Sequence, residues 1–179
     1  IGEVRNLGAM VAMELVQDRD PHRPDAELTD MLLRELQSML AGLYDAPAEH
    51  DAHDYLITDA ARAAALQGTA GGPATDEQLL VAEDEEGLGL SLYLDRAVLE
   101  RLLARCPLRE LSEDNLADYC TALEGVSHFH YLVWNAAHAR SVSLLDLELQ
   151  AEVDKYASAL ALLLEQREGR FPSELFRRL

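Results

Sequence analysis

The chain has very few of the residues on which recognisable sites are built. Of its 179 residues, two are cysteines, Cys106 and Cys120, and one is a lysine, Lys155. The cysteines lack CxxC spacing and predict free thiols in a reducing, cytoplasmic setting. No apolar run approaches the roughly eighteen residues that span a membrane, so we expect no membrane partner. GxSxG, HExxH, P-loop and dinucleotide-binding motifs are absent as well, so no common catalytic signature points to an enzyme.

The chain is rich in acidic and hydrophobic residues. It carries 33 Asp and Glu against 15 Lys and Arg, a net charge of −18, and 49% of its residues are hydrophobic. Because a field of this sign repels phosphate backbones, we expect no nucleic-acid partner. The length and the apolar content predict a folded, soluble domain with a core of its own.

The first thirty residues differ in character from the rest. IGEVRNLGAMVAMEL (residues 1–15) and DRDPHRPDAELT (residues 18–29) resemble a C-terminal segment of class III PLP-dependent aminotransferases, the 4-aminobutyrate transaminase group. The family's cofactor-binding residues lie upstream of this segment. Lys155 lies in a helical pattern that does not match the family's lysine motif, although transamination needs such a lysine. The resemblance therefore implies an aminotransferase fragment without catalytic residues, and we expect no cofactor-binding site for PLP.

This resemblance ends abruptly and predicts two parts. The chain opens on Ile1 rather than Met, and the apolar pattern changes at Met31. We expect residues 1–30 to be an aminotransferase-like remnant that is not native to the rest. Residues 31–179 are expected to form a single domain that matches no family we can name, with Met31 as a natural start.

Periodicity predicts the fold class of residues 31–179. Apolar residues at helical spacing between residues 28 and 43 predict a first helix. Alternation over residues 88–94, after an apolar run at 78–82, predicts a β-hairpin. Two long helical patterns, to about His138 and from Ser143, are separated by a short turn near Arg140. The prediction is an α+β fold: a small antiparallel sheet with helices and a C-terminal long helical hairpin.

The polar residues of this helical hairpin form the strongest candidate site. Glu124 and His128 are four residues apart on its first helix, and Glu148 and Glu152 are four apart on its second. Glu152 falls in an apolar stripe, so we expect it to be buried; the stripe contains Leu145, Leu149, Tyr156, Leu160 and Leu163. A buried carboxylate must be paired, protonated or metal-bound. Antiparallel pairing about Arg140 places His128 opposite Glu152.

Three interpretations of these four residues remain open. The simplest is a structural hydrogen bond between His128 and Glu152. Alternatively, Glu124, His128, Glu148 and Glu152 bind a divalent metal, as carboxylates and imidazoles do inside helix bundles. They can also form a general acid–base pair. Two other features predict structural roles: His50 to Asp54 as a polar loop before a strand, and Cys120 as a small buried hydrophobe.

The function that follows is expected to be non-enzymatic. The leading expectation is a protein-interaction or self-association module, because a long amphipathic helix pair can present a face to a partner helix. One alternative is a metal-dependent enzyme that uses the carboxylates and histidine of the hairpin. The other is the aminotransferase fragment.

Overall fold

The structure is a computed structural model that describes residues 26–47, 49–68, 75–83 and 88–170. It contains five helices and three strands in these ranges. They are α1 (Ala26–Tyr44), β1 (Leu56–Ile57), α2 (Ala60–Gln67), β2 (Glu77–Glu83), β3 (Leu88–Leu94), α3 (Arg96–Ala104), α4 (Leu116–Ala137) and α5 (Leu144–Gln166). Residues 1–25, most of the aminotransferase-like segment, lie outside the described residues. The α+β class and the C-terminal helix pair are confirmed.

The sheet is mixed rather than antiparallel. Its strand order is β1-β3-β2. The expected hairpin is present, with β2 antiparallel to β3 and Leu79 opposite Leu92. The short strand β1 joins the other edge of β3 in parallel, with Leu56 opposite Leu92. The prediction of an antiparallel sheet was therefore wrong for this third strand. The physical reason is the connection, since α2 lies between β1 and β2 and lets β1 run parallel to β3.

Strand β3 lies at the centre of the domain and is buried on both faces. Leu90, Leu92 and Leu94 belong to the main core, which also includes residues of α1, α3, α4 and α5. On the opposite face Tyr93 packs with Ile57 and Ala63. Alternation alone predicted a half-buried strand. The second face is covered because α2 packs beside it.

The second helix of the hairpin, α5, begins at the predicted position, and the hairpin turns near the predicted residue. Ser143 and Asp146 form a capping box at the start of α5. The Ser127 hydroxyl donates to Asp154 over 2.6 Å and joins the two helices. The midpoint of residues 127 and 154 falls between residues 140 and 141, which confirms the turn near Arg140. None of the helices in the described ranges combines the length and apolar composition needed to cross a membrane.

Helix α1 crosses the boundary proposed at residues 30 and 31. The helix begins at Ala26, and Thr29 is buried. Leu32, Leu33 and Leu36 of the same helix lie in the main core. The described domain therefore includes residues on the N-terminal side of Met31. The foreign origin proposed for residues 1–30 stays a prediction.

Candidate functional site

Three of the four predicted ligand residues lie together. Glu124 and His128 follow each other by one turn of α4, and Glu148 approaches them from α5. One possible ligand atom from each lies within 4.8 Å of the other two. His128 is buried, Glu124 is half-buried and Glu148 is exposed. The group is therefore anchored inside the domain and reaches solvent through Glu148.

A fourth member comes from the sheet. Glu77, the first residue of β2, places its Oε1 3.4 Å from Nδ1 of His128. Only 11% of the Glu77 side chain and 8% of the His128 side chain are exposed. We call Glu77, Glu124, His128 and Glu148 the carboxylate–histidine cluster. Three separate elements, β2, α4 and α5, hold these four side chains in place.

Gly125 explains how the sheet comes this close to α4. A Cβ atom at this position would lie 2.8 Å from Cδ1 of Leu92 and 2.9 Å from Cγ of Glu77. Such distances are well inside van der Waals contact, so any larger residue would force the side chains of Leu92 and Glu77 to move. The glycine does not interrupt the helix, because α4 runs unbroken from Leu116 to Ala137.

The charges of the cluster shift the pKa values of His128 and Glu77. Burial lowers the pKa of His128, but nearby Glu77, with Glu148 and Glu124, outweighs burial and leaves that pKa raised. Burial is also the largest influence on Glu77 and raises its pKa. His128 opposes this rise, whereas Glu124 and Glu148 add to it. Positive charge is therefore favoured at the centre of the cluster.

Two buried atoms of the cluster lack hydrogen bonds. Within the described part of the chain, Nε2 of His128 and Oε1 of Glu77 have no hydrogen-bond partner. The 3.4 Å contact between the two side chains is long for a hydrogen bond. Ligands held about 2.0–2.2 Å from a zinc ion lie at most about 4.4 Å apart. The ligand atoms of Glu124, His128 and Glu148 lie within 4.8 Å of one another, so small side-chain shifts would bring these three to the spacing that a divalent cation requires.

Glu152 does not belong to the cluster, which corrects the sequence prediction. Its side chain is 65% exposed and pairs with Lys155, which also contacts Glu124 over 3.1 Å. The predicted hydrogen bond between His128 and Glu152 is therefore wrong. The buried residues of α5 share only Leu163 with the predicted stripe; they are Ala151, Asp154, Ser158, Ala159, Leu162 and Leu163. Small residues on this buried face let α4 pack closely. A hydrophobic pattern does not reveal such a face, because small and polar residues contribute little to it.

Asp154 is the buried carboxylate that the sequence analysis missed. It is 2% exposed. Ser127 donates to its Oδ2 over 2.6 Å and Gln150 to its Oδ1 over 2.8 Å. The hydroxyl of Tyr44 also donates to Oδ1. Burial, followed by this bond, raises the pKa of Tyr44 to about 12. The only sequence signal was the spacing of Gln150 and Asp154, one helical turn apart.

The remaining candidates have structural contacts. Asp51 caps the turn Ala52–Tyr55 and pairs with Arg34. His50 contacts the hydroxyl of Tyr55 over 3.2 Å. Burial raises the pKa of the Cys120 thiol to about 11, which suits an inert, partly buried side chain better than a nucleophile.

No protein-family model matches the chain, and no curated protein or solved structure matches it. The resemblance of residues 1–30 to class III aminotransferases gains no support from these comparisons and stays a prediction. Any function must be argued from the geometry described above.

Proposed function

We propose that this protein binds a divalent metal ion at the carboxylate–histidine cluster. The observation that carries the proposal is Nε2 of His128, which is buried, has no hydrogen-bond partner in the described residues, and belongs to a side chain surrounded by carboxylates. Leaving a buried polar atom unpaired costs about 1–3 kcal/mol, and a bound cation would satisfy it. The cation would also offset the repulsion among Glu77, Glu124 and Glu148.

The ligand types indicate which ions to expect. One imidazole with several carboxylates suits zinc or manganese, whereas a purely oxygen site would favour calcium or magnesium. Lys155 supplies one positive charge beside Glu124. The carboxylates of Glu77, Glu124 and Glu148 outnumber the two groups that can carry positive charge, Lys155 and His128. The cluster therefore keeps a negative charge that attracts a divalent ion.

The position of the cluster suggests what the metal would do. Its ligands come from β2, α4 and α5, so an ion would tie the sheet to the helical hairpin. Because Glu148 is exposed, an ion held by the cluster would be reachable from solvent, as a catalytic metal must be. This exposure supports a metal-dependent enzyme as the catalytic version of the proposal. The free cysteines are consistent with the proposed cytoplasmic setting.

Calorimetric titration of the chelator-treated protein with zinc and with manganese tests the proposal. We expect one ion to bind per chain and to raise the melting temperature, because a ligand that binds only the folded state stabilises it. Glu148→Gln removes an exposed ligand with little risk to folding and should weaken binding by about tenfold or more. His128→Gln should weaken it further.

Glu152→Gln is the matched control. It removes an acidic residue one turn from Glu148 on the same helix, but outside the cluster. Binding that falls equally in the Glu148 and Glu152 variants would indicate only a general attraction of cations to an acidic surface. That result, or no binding of either ion, would refute the proposal.

A further inference from the structure

Helix α5 carries an uncovered row of apolar side chains. Leu145, Leu149 and Val153 follow one another at four-residue spacing and are each more than half exposed. Residues four apart lie on one face of a helix. We call Leu145, Leu149 and Val153 the α5 apolar stripe. Single exposed leucines are normal, but a continuous row along two turns is typical of a binding surface.

The same face of α5 is covered farther along the helix. Tyr156 and Leu160 are partly buried against the main core, and Leu163 lies within it. Residue spacing predicted one buried stripe on this helix, made of Leu145, Leu149, Tyr156, Leu160 and Leu163. That prediction is correct at the C-terminal end and wrong at the N-terminal end. The first half of α5 thus has an apolar face of the same kind as the second half, but no described element packs on it.

We propose that the α5 apolar stripe docks a basic amphipathic helix of a protein partner. Residues 144–153 contain three exposed acidic residues, Asp146, Glu148 and Glu152, and no lysine or arginine. A helix with leucines on one face and lysines or arginines beside them would match both the apolar row and its acidic borders. Glu148 also belongs to the carboxylate–histidine cluster, so the docking surface is tested without metal.

A second copy of this chain does not fit the α5 apolar stripe well, because its charge does not complement the acidic borders. Two copies related by a two-fold axis would bring the same surface of each together. The acidic borders of both α5 helices would then face each other, in a protein whose net charge is −18. Like charges brought together across an interface oppose association. The charge pattern therefore favours a basic partner over self-association.

A designed peptide tests this surface directly. The probe is a fluorescein-labelled helix of about eighteen residues, five turns, with leucines on one face and lysines on the rest. Two comparison peptides have the same composition in scrambled order, or glutamate in place of lysine. Fluorescence anisotropy with the full chain, in chelator, should show tight binding of the first peptide only. The binding should weaken as salt is raised.

Substitutions then locate the site. Leu145→Gln with Leu149→Gln should weaken binding of the first peptide by about tenfold or more, since each buried leucine contributes strongly to an apolar contact. Val153→Gln, measured separately, should weaken it less. Leu66→Gln is the matched control, because Leu66 is similarly exposed but lies on α2. Thermal melts should show that these surface variants fold as the wild type does.

Two results would overturn the proposal. One is equal binding of the scrambled peptide, or unchanged binding to the Leu145 and Leu149 variant, which would show only unspecific attraction between a basic peptide and an acidic protein. The other is a wild-type dimer in sedimentation velocity that Leu149→Gln converts to a monomer. In that case a second copy, not a basic helix, covers the stripe.

Discussion

Replacing Asp154 should destabilise the protein far more than replacing Glu152, two residues away on the same helix. Asp154 is 2% exposed and accepts hydrogen bonds from Ser127, Gln150 and Tyr44. Glu152 is exposed and makes an ion pair at the surface. Asp154 and Glu152 therefore allow a buried carboxylate and an exposed one to be compared at neighbouring positions of one helix.

The magnitude follows from the three donors. Hydrogen bonds to a charged group contribute about 1.5–3 kcal/mol each. In Asp154→Ala, Tyr44 and Gln150 can turn to water because they are partly exposed, but the buried hydroxyl of Ser127 cannot. The substitution also removes the desolvation penalty of the buried carboxylate, which offsets part of the loss in stability. We expect a net loss of about 2–4 kcal/mol. Asp154→Asn should lose about half as much, because the amide keeps one acceptor.

Urea unfolding followed by far-UV circular dichroism measures these differences. Glu152→Ala is the control and should change the free energy of unfolding by less than about 1 kcal/mol. A double-mutant cycle with Tyr44→Phe should show coupling to Asp154, because residues in contact are not additive. A loss below about 1 kcal/mol for Asp154→Ala, or a larger loss for Glu152→Ala, would refute the assignment of the buried face of α5.

Three further predictions test the close packing, the thiol and the domain boundary. Gly125→Ala should lower the free energy of unfolding by about 1–3 kcal/mol, although alanine favours helices, and should weaken zinc binding because it displaces Glu77. A variant that is more stable than the wild type in thermal melts would contradict this. Cys120, with a pKa of about 11, should react with a thiol reagent at pH 8 about a hundredfold more slowly than an ordinary thiol, and Cys120→Ser should remove only the slow phase. A chain starting at Ala26 should melt as the full chain does, whereas one starting at Met31 should lose at least about 1 kcal/mol with the first turn of α1; equal melting of the two would restore the boundary at residue 31.

The local elements were predictable because their signals are local. Apolar spacing predicted α1, and alternation predicted the β2–β3 hairpin. Asp95 caps α3, where its carboxylate accepts the Ala97 amide. Ser143 was expected to start α5, and it forms the capping box there. Each of these depends on residues within a few positions of one another.

The candidate site was predictable in part. The turn near Arg140 was expected to place Glu152 opposite His128, and Glu148 was included as the residue one turn from Glu152; the structure brings Glu148, and not Glu152, to Glu124 and His128. The same turn gives the right register for α4 and α5. It does not determine how α5 is rotated about its own axis. Asp154 rather than Glu152 faces inward, because small residues around Asp154 allow close packing and three donors satisfy its charge.

By itself, the sequence determined the first helix, the β2–β3 hairpin, the pair of long C-terminal helices, the start of α5 at Ser143 and the acidic charge, since each depends on neighbouring residues or on composition. Only the tertiary structure decided that β1 joins the sheet in parallel, that Glu77 completes the carboxylate–histidine cluster and that the first half of α5 exposes its apolar face. These three features depend on contacts between segments far apart in the chain. Such contacts are selected by shape and close approach, as at Gly125, and residue spacing does not encode them.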